Sequence, residues 1–483
     1  MGFFYRGVRG LVRAALGVFY RDIQVTGMEH LDAGAPTILA CNHPNSIIDP
    51  LLLAVFEDRQ VSFCARDGLF KIPGFGQLLR AVGAIPLQRR SDHVGGAVDN
   101  AGAFSACRGV LLNGGVLAIF PEGKTHSRMR VEPLKTGTAR IALDAVAAWR
   151  ALGGRSAARD DDADAMDIDI EAAPRTLRIV PVGITYLVRH AFLSDVHVAI
   201  GAPLDPAAIA EGQKGPRDDQ GTVRAITSRV ETALRDLALH IEEEEDERFI
   251  AQVTAIVAGI RADEGLDKGG QSPAERTALA RRVLDAHRWM KETDPHRTAR
   301  VRVRIEHYME ERRRLGLGGE KAAFQHRGER RKPLSGARWV TFFLLGAPFA
   351  LYGLAVSLVP YVLLRITLRL VRLPTFRVAL FKLLGGVVAF GTCWAAMIAA
   401  VAMKVDPLTA ALFGVSLMPS AFFAQRYVTE TRLHRLQLRS GGSLARRLRM
   451  ARLRAERQAL TEELADLRRL YLAHVGEPAP PSR

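Results

Sequence analysis

The chain has 483 residues, of which 48% are hydrophobic, and a formal net charge of +16. This length exceeds one ordinary domain and predicts two or three units. Residues 325–483 contain 24 Lys and Arg residues against 8 Asp and Glu residues, so they carry the whole positive excess. Because this charge flanks uncharged apolar segments, anionic lipid head groups are the expected partner and nucleic acid is not.

The spacing of the cysteines and histidines indicates neither a metal site nor a disulfide framework. The four cysteines occur singly, at Cys41, Cys64, Cys107 and Cys393. This pattern fits a reducing cytoplasm, and we expect no metal and no cofactor. In residues 1–30, arginines interrupt the apolar residues. We therefore expect no signal peptide but an amphipathic helix, lying in a membrane interface or packed on a core.

Residues 31–205 alternate short apolar runs with helical segments. The predicted strands are Thr37–Cys41, Val61–Ala65, Val116–Phe120, Leu177–Val182 and Val196–Ile200. Helices between them predict an α/β fold with a mixed, mainly parallel sheet flanked by helices. The acidic stretch 153–174 interrupts this pattern and is expected to be an inserted loop.

The turn after the first predicted strand holds a histidine and an aspartate. His43 follows the strand, and Asp49 falls in the first turn of the next predicted helix. A carboxylate there can hold the imidazole in one tautomer and stabilise its charged form, which leaves the other nitrogen as a general base. Taken alone, this pair favours a plain helix cap, and the motifs that follow reverse that preference.

Three further motifs occur in order along the chain. GAIPLQR ends in Arg89, FPEG contains Glu122 and Gly123, and IVPVGITY contains Pro181. A guanidinium suits a phosphate monoester because its fork donates two hydrogen bonds, although Arg89 beside Arg90 could also be a solvated arginine. Glu122 follows a strand end, where α/β sites form, and a glycine lets the backbone approach a ligand closely.

The four motifs resemble those of the glycerolipid acyltransferase superfamily, the PlsC-like phosphate acyltransferases, over about residues 20–205. Most members have four residues between the histidine and the aspartate, whereas five separate His43 from Asp49. In this spacing the chain looks more like the glycerol-3-phosphate/dihydroxyacetone-phosphate acyltransferases. The resemblance implies His43 as the base, Asp49 as the residue that orients it, and the acceptor hydroxyl as the nucleophile.

The resemblance also implies the substrates. A fatty acyl group would move from acyl-CoA or acyl carrier protein to glycerol 3-phosphate or dihydroxyacetone phosphate, a step toward phosphatidate. Glu122 would hydrogen-bond glycerol hydroxyls or fix the Arg89 side chain. The residues expected to bind the acceptor are Arg66, Arg89, Glu122, Gly123 and Lys135.

Other functions stay open at this point. The same machinery could acylate lysophosphatidate or another lipid, such as an ornithine lipid or a lysophospholipid. From a different class, the chain could be a non-catalytic membrane scaffold with a degenerate acyltransferase domain. The presence of His43, Asp49, Arg89 and Glu122 together argues against the scaffold. The sequence selects neither the acyl donor nor an oligomeric state.

The rest of the chain is predicted to be helical. Residues 206–324 form a charged region without a readable motif, and residues 325–440 form a membrane region. Its apolar segments 338–364, 383–403 and 408–425 approach or exceed the ~20 residues that cross a bilayer. Residues 441–483 repeat leucine among charges, which predicts an amphipathic helix or a short coiled coil.

Basic residues flank both ends of the first apolar segment. By the positive-inside rule both ends are then cytoplasmic, and with Pro348 this predicts a re-entrant hairpin broken near that proline. Segments 383–403 and 408–425 would cross out and back. The catalytic domain is accordingly expected at the cytoplasmic face of a membrane.

Overall fold

The structure, a computed structural model, describes residues 2–32, 34–88, 100–126, 128–151, 176–186, 194–212, 219–263, 271–315, 337–370, 375–440 and 444–476. The chain divides into a first unit of residues 1–189 and 195–242 and a second unit of residues 190–194 and 243–483. The acidic stretch 153–174 and Arg89 lie outside the described residues.

One seven-stranded sheet forms the centre of the first unit. Its strands are β1 (Tyr20–Thr26), β2 (Thr37–Cys41), β3 (Val61–Arg66), β4 (Ala84–Leu87), β5 (Val116–Ile119), β6 (Arg178–Tyr186) and β7 (Ser194–Ile200). Their order is β1–β7–β6–β2–β5–β3–β4. β2 pairs in parallel with β5 and β6, β3 pairs in parallel with β4 and β5, and β7 runs antiparallel to β6. The predicted mixed, mainly parallel sheet is confirmed.

Helices pack against this sheet. They are α1 (Phe3–Phe19), α2 (Ile48–Phe56), α3 (Phe75–Ala81), α4 (Ala101–Leu112), α5 (Gly137–Ala151), α6 (Pro206–Glu211) and α7 (Asp219–Leu237). The main core joins strand residues such as Ile38 and Leu117 to Leu111 of α4, Ala142 of α5 and Val230 of α7. Burial of these continuous apolar runs on the sheet is what a parallel arrangement requires.

The first helix is shorter than the sequence suggests. α1 ends at Phe19, and the following residues YRDIQVT form β1, a half-buried strand at the sheet edge without a continuous apolar run. α1 buries Tyr5 and Leu16, whereas Phe3 is 88% exposed and Leu11 63% exposed. One side of this amphipathic helix therefore packs on the unit, and the other presents large apolar side chains to the surroundings.

The second unit is helical. Its helices are α8 (Glu244–Asp263), α9 (Pro273–Thr293), α10 (Pro295–Arg314), α11 (Ala337–Leu370), α12 (Thr375–Lys404), α13 (Pro407–Ser440) and α14 (Leu444–Val475). α14 packs on α8, α9 and α10, where Leu460 is fully buried. Arg297 of α10 forms ion pairs with Glu463 and Asp466 of α14. The amphipathic C-terminal helix thus returns to helices that precede the apolar segments.

Three helices of this unit, in the windows 339–370, 381–404 and 407–431, are long and apolar enough to cross a membrane. The predicted re-entrant hairpin is wrong, because α11 continues without a break through Pro348 and Pro360. Neighbouring apolar helices can compensate the hydrogen bonds that a proline removes. α13 packs closely on α11 at Gly353, where a Cβ atom would lie 2.1 Å from the Ser420 carbonyl oxygen.

The contacts of α13 define its direction relative to α11. The Tyr427 hydroxyl donates to the Phe343 carbonyl oxygen over 2.9 Å, and the hydroxyls of Tyr352 and Ser416 lie 2.6 Å apart. Later residues of α13 therefore meet earlier residues of α11, so the two helices are antiparallel. It follows that the start of α11 and the end of α13 lie at the same end of the pair.

Candidate active site

The turn between β2 and α2 is held by an asparagine. The Asn42 amide donates to the Ile184 carbonyl oxygen over 3.0 Å and accepts from the Ile184 N–H over 2.7 Å. Ile184 belongs to β6, which pairs with β2. Ser46 in the same turn has a φ of 51°, a backbone conformation that a non-glycine residue rarely adopts. These contacts fix the position of the turn at the carboxyl end of β2.

His43 and Asp49 meet across this turn. Nδ1 of His43 lies 2.9 Å from Oδ2 of Asp49, and Asp49 is fully buried. A carboxylate only accepts hydrogen bonds, so Nδ1 carries the proton and Nε2 has a free lone pair. Among the described residues none hydrogen-bonds Nε2, and the His43 side chain is 12% exposed. The geometry is that of an imidazole oriented by a carboxylate, with one nitrogen available as a base.

Asp49 has two further hydrogen-bond donors. The Asn45 N–H donates to Oδ2 over 2.8 Å, and the Tyr186 hydroxyl donates to Oδ1 over 2.6 Å. Burial, followed by the negative charge of Asp49, raises the pKa of Tyr186 well above its ordinary value. Tyr186 therefore remains a phenol that can donate. Asn45 also donates to the Tyr20 hydroxyl over 3.1 Å, which joins β1 to the same network.

The neighbouring thiol is unsuited to covalent catalysis. Cys41 is fully buried at the end of β2. Burial, and secondarily the charge of Asp49, raises the pKa of Cys41 well above its ordinary value. Because the thiolate is the nucleophilic form, this cysteine is inert.

The FPEG motif lies against His43. The Phe120 ring stacks on the imidazole with ring centres 4.2 Å apart, and the His43 N–H donates to Oε1 of Glu122 over 3.3 Å. Oε2 of Glu122 lies 2.5 Å from Nε2 of His126. Glu122 is buried, which raises its pKa, while the hydrogen bond from His126 acts in the opposite direction. These two contacts place Glu122 between the turn that carries His43 and the loop that carries His126.

A lysine covers the glycine of this motif. Gly123 has a φ of 69°, and a Cβ atom there would lie 2.7 Å from Nζ of Lys135. The Lys135 N–H donates to the Pro121 carbonyl oxygen over 2.8 Å, and its side chain is exposed. A side chain at position 123 would therefore displace the ammonium group of Lys135.

Of the two arginines predicted to bind the acceptor, the structure describes one. Arg66 is the exposed last residue of β3 and is opposite Leu87 in the parallel pairing of β3 with β4. Arg89 follows two residues after β4 ends and lies outside the described residues. Parallel strands have their carboxyl ends on the same side of a sheet. Arg66 and the end of β4 therefore lie on the side where His43 follows β2 and Glu122 follows β5.

Part of the chain is similar to known proteins. Residues 22–185 match the family model described as Acyltransferase. No curated protein matches the chain. The solved structures similar to it include the 1-acyl-sn-glycerophosphate (LPA) acyltransferase PlsC from Thermotoga maritima, with 20% identity and a TM-score of 0.31, covering 48% of this chain and 79% of that chain.

Some residues around His43 and Asp49 are not indicated by the sequence motifs. Tyr186 is the last residue of IVPVGITY, whose proline was singled out instead, and Tyr20 lies in a strand that was not predicted. The motifs do not mark Asn45 or His126 as residues of the site. The feature that could have identified Tyr186 as a site residue is its position at the carboxyl end of a strand parallel to β2. No local pattern could relate Tyr20 to Asn45.

Among the described residues no cluster of His, Cys, Asp and Glu could hold a metal ion. The polar groups of the site form a chain of hydrogen bonds from Tyr186 through Asp49 and His43 to Glu122 and His126.

Proposed function

We propose that the chain is a membrane-associated acyltransferase that moves a fatty acyl group from a thioester donor to the hydroxyl of glycerol 3-phosphate. The observation that carries this proposal is the His43–Asp49 pair, with Nδ1 bound by the carboxylate and Nε2 unblocked. Dihydroxyacetone phosphate is the alternative acceptor, and acyl-CoA or acyl carrier protein is the donor.

In the proposed reaction Nε2 of His43 takes the proton of the acceptor hydroxyl as its oxygen attacks the thioester carbonyl carbon. A new C–O bond forms, the C–S bond breaks, and the departing thiolate takes the proton back from the imidazolium. Asp49 stabilises the imidazolium, as a buried carboxylate in contact with Nδ1 does in related acyl-transfer chemistry. Asn45 and Tyr186 hold that carboxylate in place.

The acceptor phosphate needs cationic partners. Arg66 and Lys135 lie on the side of the sheet that carries the pair, and Arg89 comes two residues after the end of β4, the strand beside Arg66. Charge-assisted hydrogen bonds from such groups suit a phosphate monoester. In this proposal Glu122 and Gly123 shape the acceptor pocket, with Glu122 supporting the His43 turn.

Membrane association is supported by the three apolar helices and by the basic character of residues 325–483. We place the acyltransferase domain on the cytoplasmic face, where activated acyl donors are present. Anionic lipid head groups would contact the basic flanks.

The test is an acyl-transfer assay with the purified full-length protein in liposomes. Labelled acyl-CoA and labelled acyl carrier protein are each offered with glycerol 3-phosphate, dihydroxyacetone phosphate or lysophosphatidate. We expect transfer to glycerol 3-phosphate that His43→Ala removes. The control is His30→Ala, a histidine of the same unit whose Nδ1 lies 3.0 Å from the Ile200 carbonyl oxygen. Preferential transfer to lysophosphatidate would replace the proposed acceptor, and no transfer to any acceptor would reject the proposal.

A further inference from the structure

The packing of α8, α9, α10 and α14 leaves a cavity of about 520 Å³ in the second unit. It opens to the surface, where the exposed residues Arg282 and Val475 line it, and small-molecule sites occupy roughly 300–1,000 Å³. The size of this cavity is therefore that of a ligand site. We call it the helical cavity.

Every helix around the helical cavity contributes apolar side chains to its wall. Val253 comes from α8, Leu279 from α9, Val301 from α10 and Leu464 from α14. The first three are buried, and Leu464 is half-buried. Hydrocarbon is favoured against such walls because each methylene group leaves water on binding.

The charged side chains among the described lining residues are all positive. Arg261, Arg282 and Arg468 line the helical cavity, and no Asp or Glu is among the described lining residues. Acidic residues do occur on the same helices, and the first turn of α8 carries four of them. Guanidinium groups beside an apolar wall complement a molecule with a hydrocarbon chain and an anionic head.

We propose that the helical cavity binds a single-chain lipid with an anionic head group, as a site separate from the His43 site. The hydrocarbon chain lies against Val253, Leu279 and Leu464, and the head group contacts the arginines. No bond is made or broken there. Two leucines of the C-terminal helix, Leu464 and Leu467, line the helical cavity.

The test uses a palmitic acid analogue with a diazirine near the end of its chain, photolysed with the full-length protein in its own membranes. Mass spectrometry then locates the cross-linked peptides. We expect cross-links in α8, α9 and α14. Val301→Trp fills the helical cavity and should reduce them at least tenfold, whereas the matched Val303→Trp, at a position 65% exposed on the same helix, should leave them unchanged.

A second pair of variants tests the contact between the head group and the arginines. Arg282→Glu reverses an exposed charge of the lining, and Arg288→Glu reverses an exposed charge on the same helix outside it. We expect at least a fivefold loss for Arg282→Glu alone. Because both positions are exposed, this comparison holds even if Val301→Trp does not fold.

Competition identifies the source of the anionic head group. Unlabelled palmitate, lysophosphatidate and palmitoyl-CoA carry a carboxylate, a phosphate monoester and a nucleotide, and the one that displaces the probe at the lowest concentration is the preferred class. Equal displacement by the uncharged monoacylglycerol would overturn the charge assignment. Cross-links that are confined to residues 337–440, or equal in all four variants, would overturn the site itself.

Discussion

The Tyr186 hydroxyl donates a 2.6 Å hydrogen bond to Oδ1 of Asp49, across 137 positions of the chain. Asp49 uses its other oxygen for His43. The carboxylate is thus held from the side opposite the imidazole, and its orientation depends on β6 as well as on the turn after β2. The base of the proposed reaction is therefore a three-residue arrangement rather than a local pair.

His43→Ala and Asp49→Asn should each abolish most turnover while the fold is retained. Losing a positioned general base costs about 100- to 10,000-fold in rate. Asp49→Asn keeps the shape of the side chain but can no longer stabilise the imidazolium. Turnover in membranes and thermal unfolding of the same preparations check both statements. Near-full activity of His43→Ala would exclude direct transfer by this base.

Tyr186→Phe should lower kcat by about 10- to 100-fold and leave the acceptor KM nearly unchanged. A hydrogen bond to a charged group contributes about 1.5–3 kcal/mol, and this one positions Asp49 without touching the acceptor. Tyr5→Phe is the matched control, because it removes a hydroxyl of the same unit that accepts from the Val61 N–H. A kcat equal to that of the parent protein would show that Asp49 needs no support from β6.

Arg89→Ala should raise the acceptor KM more than it lowers kcat, because a phosphate is bound in the ground state and the transition state alike. The loss of one charge-assisted contact should cost about 1.5–3 kcal/mol. Arg90→Ala is the matched control beside it. Steady-state kinetics with each substrate varied in turn measure both constants, and an effect limited to the donor KM would assign Arg89 to the donor.

Acidification should loosen α8 and α9 around His287. Burial lowers the pKa of His287 from 6.5, against the opposing effect of Asp246, while Arg302 and Lys291 also lower it. The folded unit therefore binds fewer protons than the unfolded chain, so this contribution to stability is present above pH 6.5 and is lost as the pH falls below it. The pKa of Asp246 is lowered from 3.8, so its own contribution is lost at lower pH.

Hydrogen exchange of peptides from α8 and α9, corrected for the intrinsic rates, measures this effect between pH 7 and pH 5. We expect faster opening at pH 5 in the parent protein and a smaller change in His287→Gln. His307→Gln, at an exposed position of α10, is the control. An unchanged pH dependence in His287→Gln would mean that other groups control the opening.

The unbroken α11 predicts that its two ends lie on opposite faces of the membrane. Its 34 residues span about 51 Å, against about 30 Å of hydrocarbon. Because α13 is antiparallel to α11 and α14 packs beside α10, the chain must return to the face from which it started. Residues 375 and 405 would then both lie on the far face, so that α12, the helix between them, would not cross the membrane.

Cysteine labelling in a cysteine-free background tests this arrangement. With a membrane-impermeant reagent outside, Thr375→Cys and Val405→Cys should both react, whereas Gln458→Cys, exposed on α14, should react only after permeabilisation. The basic residues Arg365 and Arg369 favour the opposite face for residue 375 by the positive-inside rule. Protection of residue 375 together with labelling of residue 405 would contradict a full crossing by α11.

Strands that bury both faces were predictable, and strands at the sheet edges were not. β2 and β5 read as continuous apolar runs because helices cover both faces of a parallel sheet. β1 carries polar residues that pair with β7, as Arg21 does with Asp195, and β4 is a four-residue edge strand containing a proline. Neither pattern is apolar enough to indicate a strand without its neighbour.

The chemistry of the site was visible locally because His43 and Asp49 are six positions apart on one turn, and FPEG is contiguous. Tyr186 and the packing of α14 on α10 became apparent only in three dimensions, because they depend on strand register and on ion pairs between residues more than 150 positions apart. His126 is four positions from Glu122, but the contact between their side chains depends on the conformation of the loop. Pro348 suggested a break that α11 does not have. The close contact of Ser420 with Gly353 is a property of two packed helices, and neither sequence segment indicates it alone.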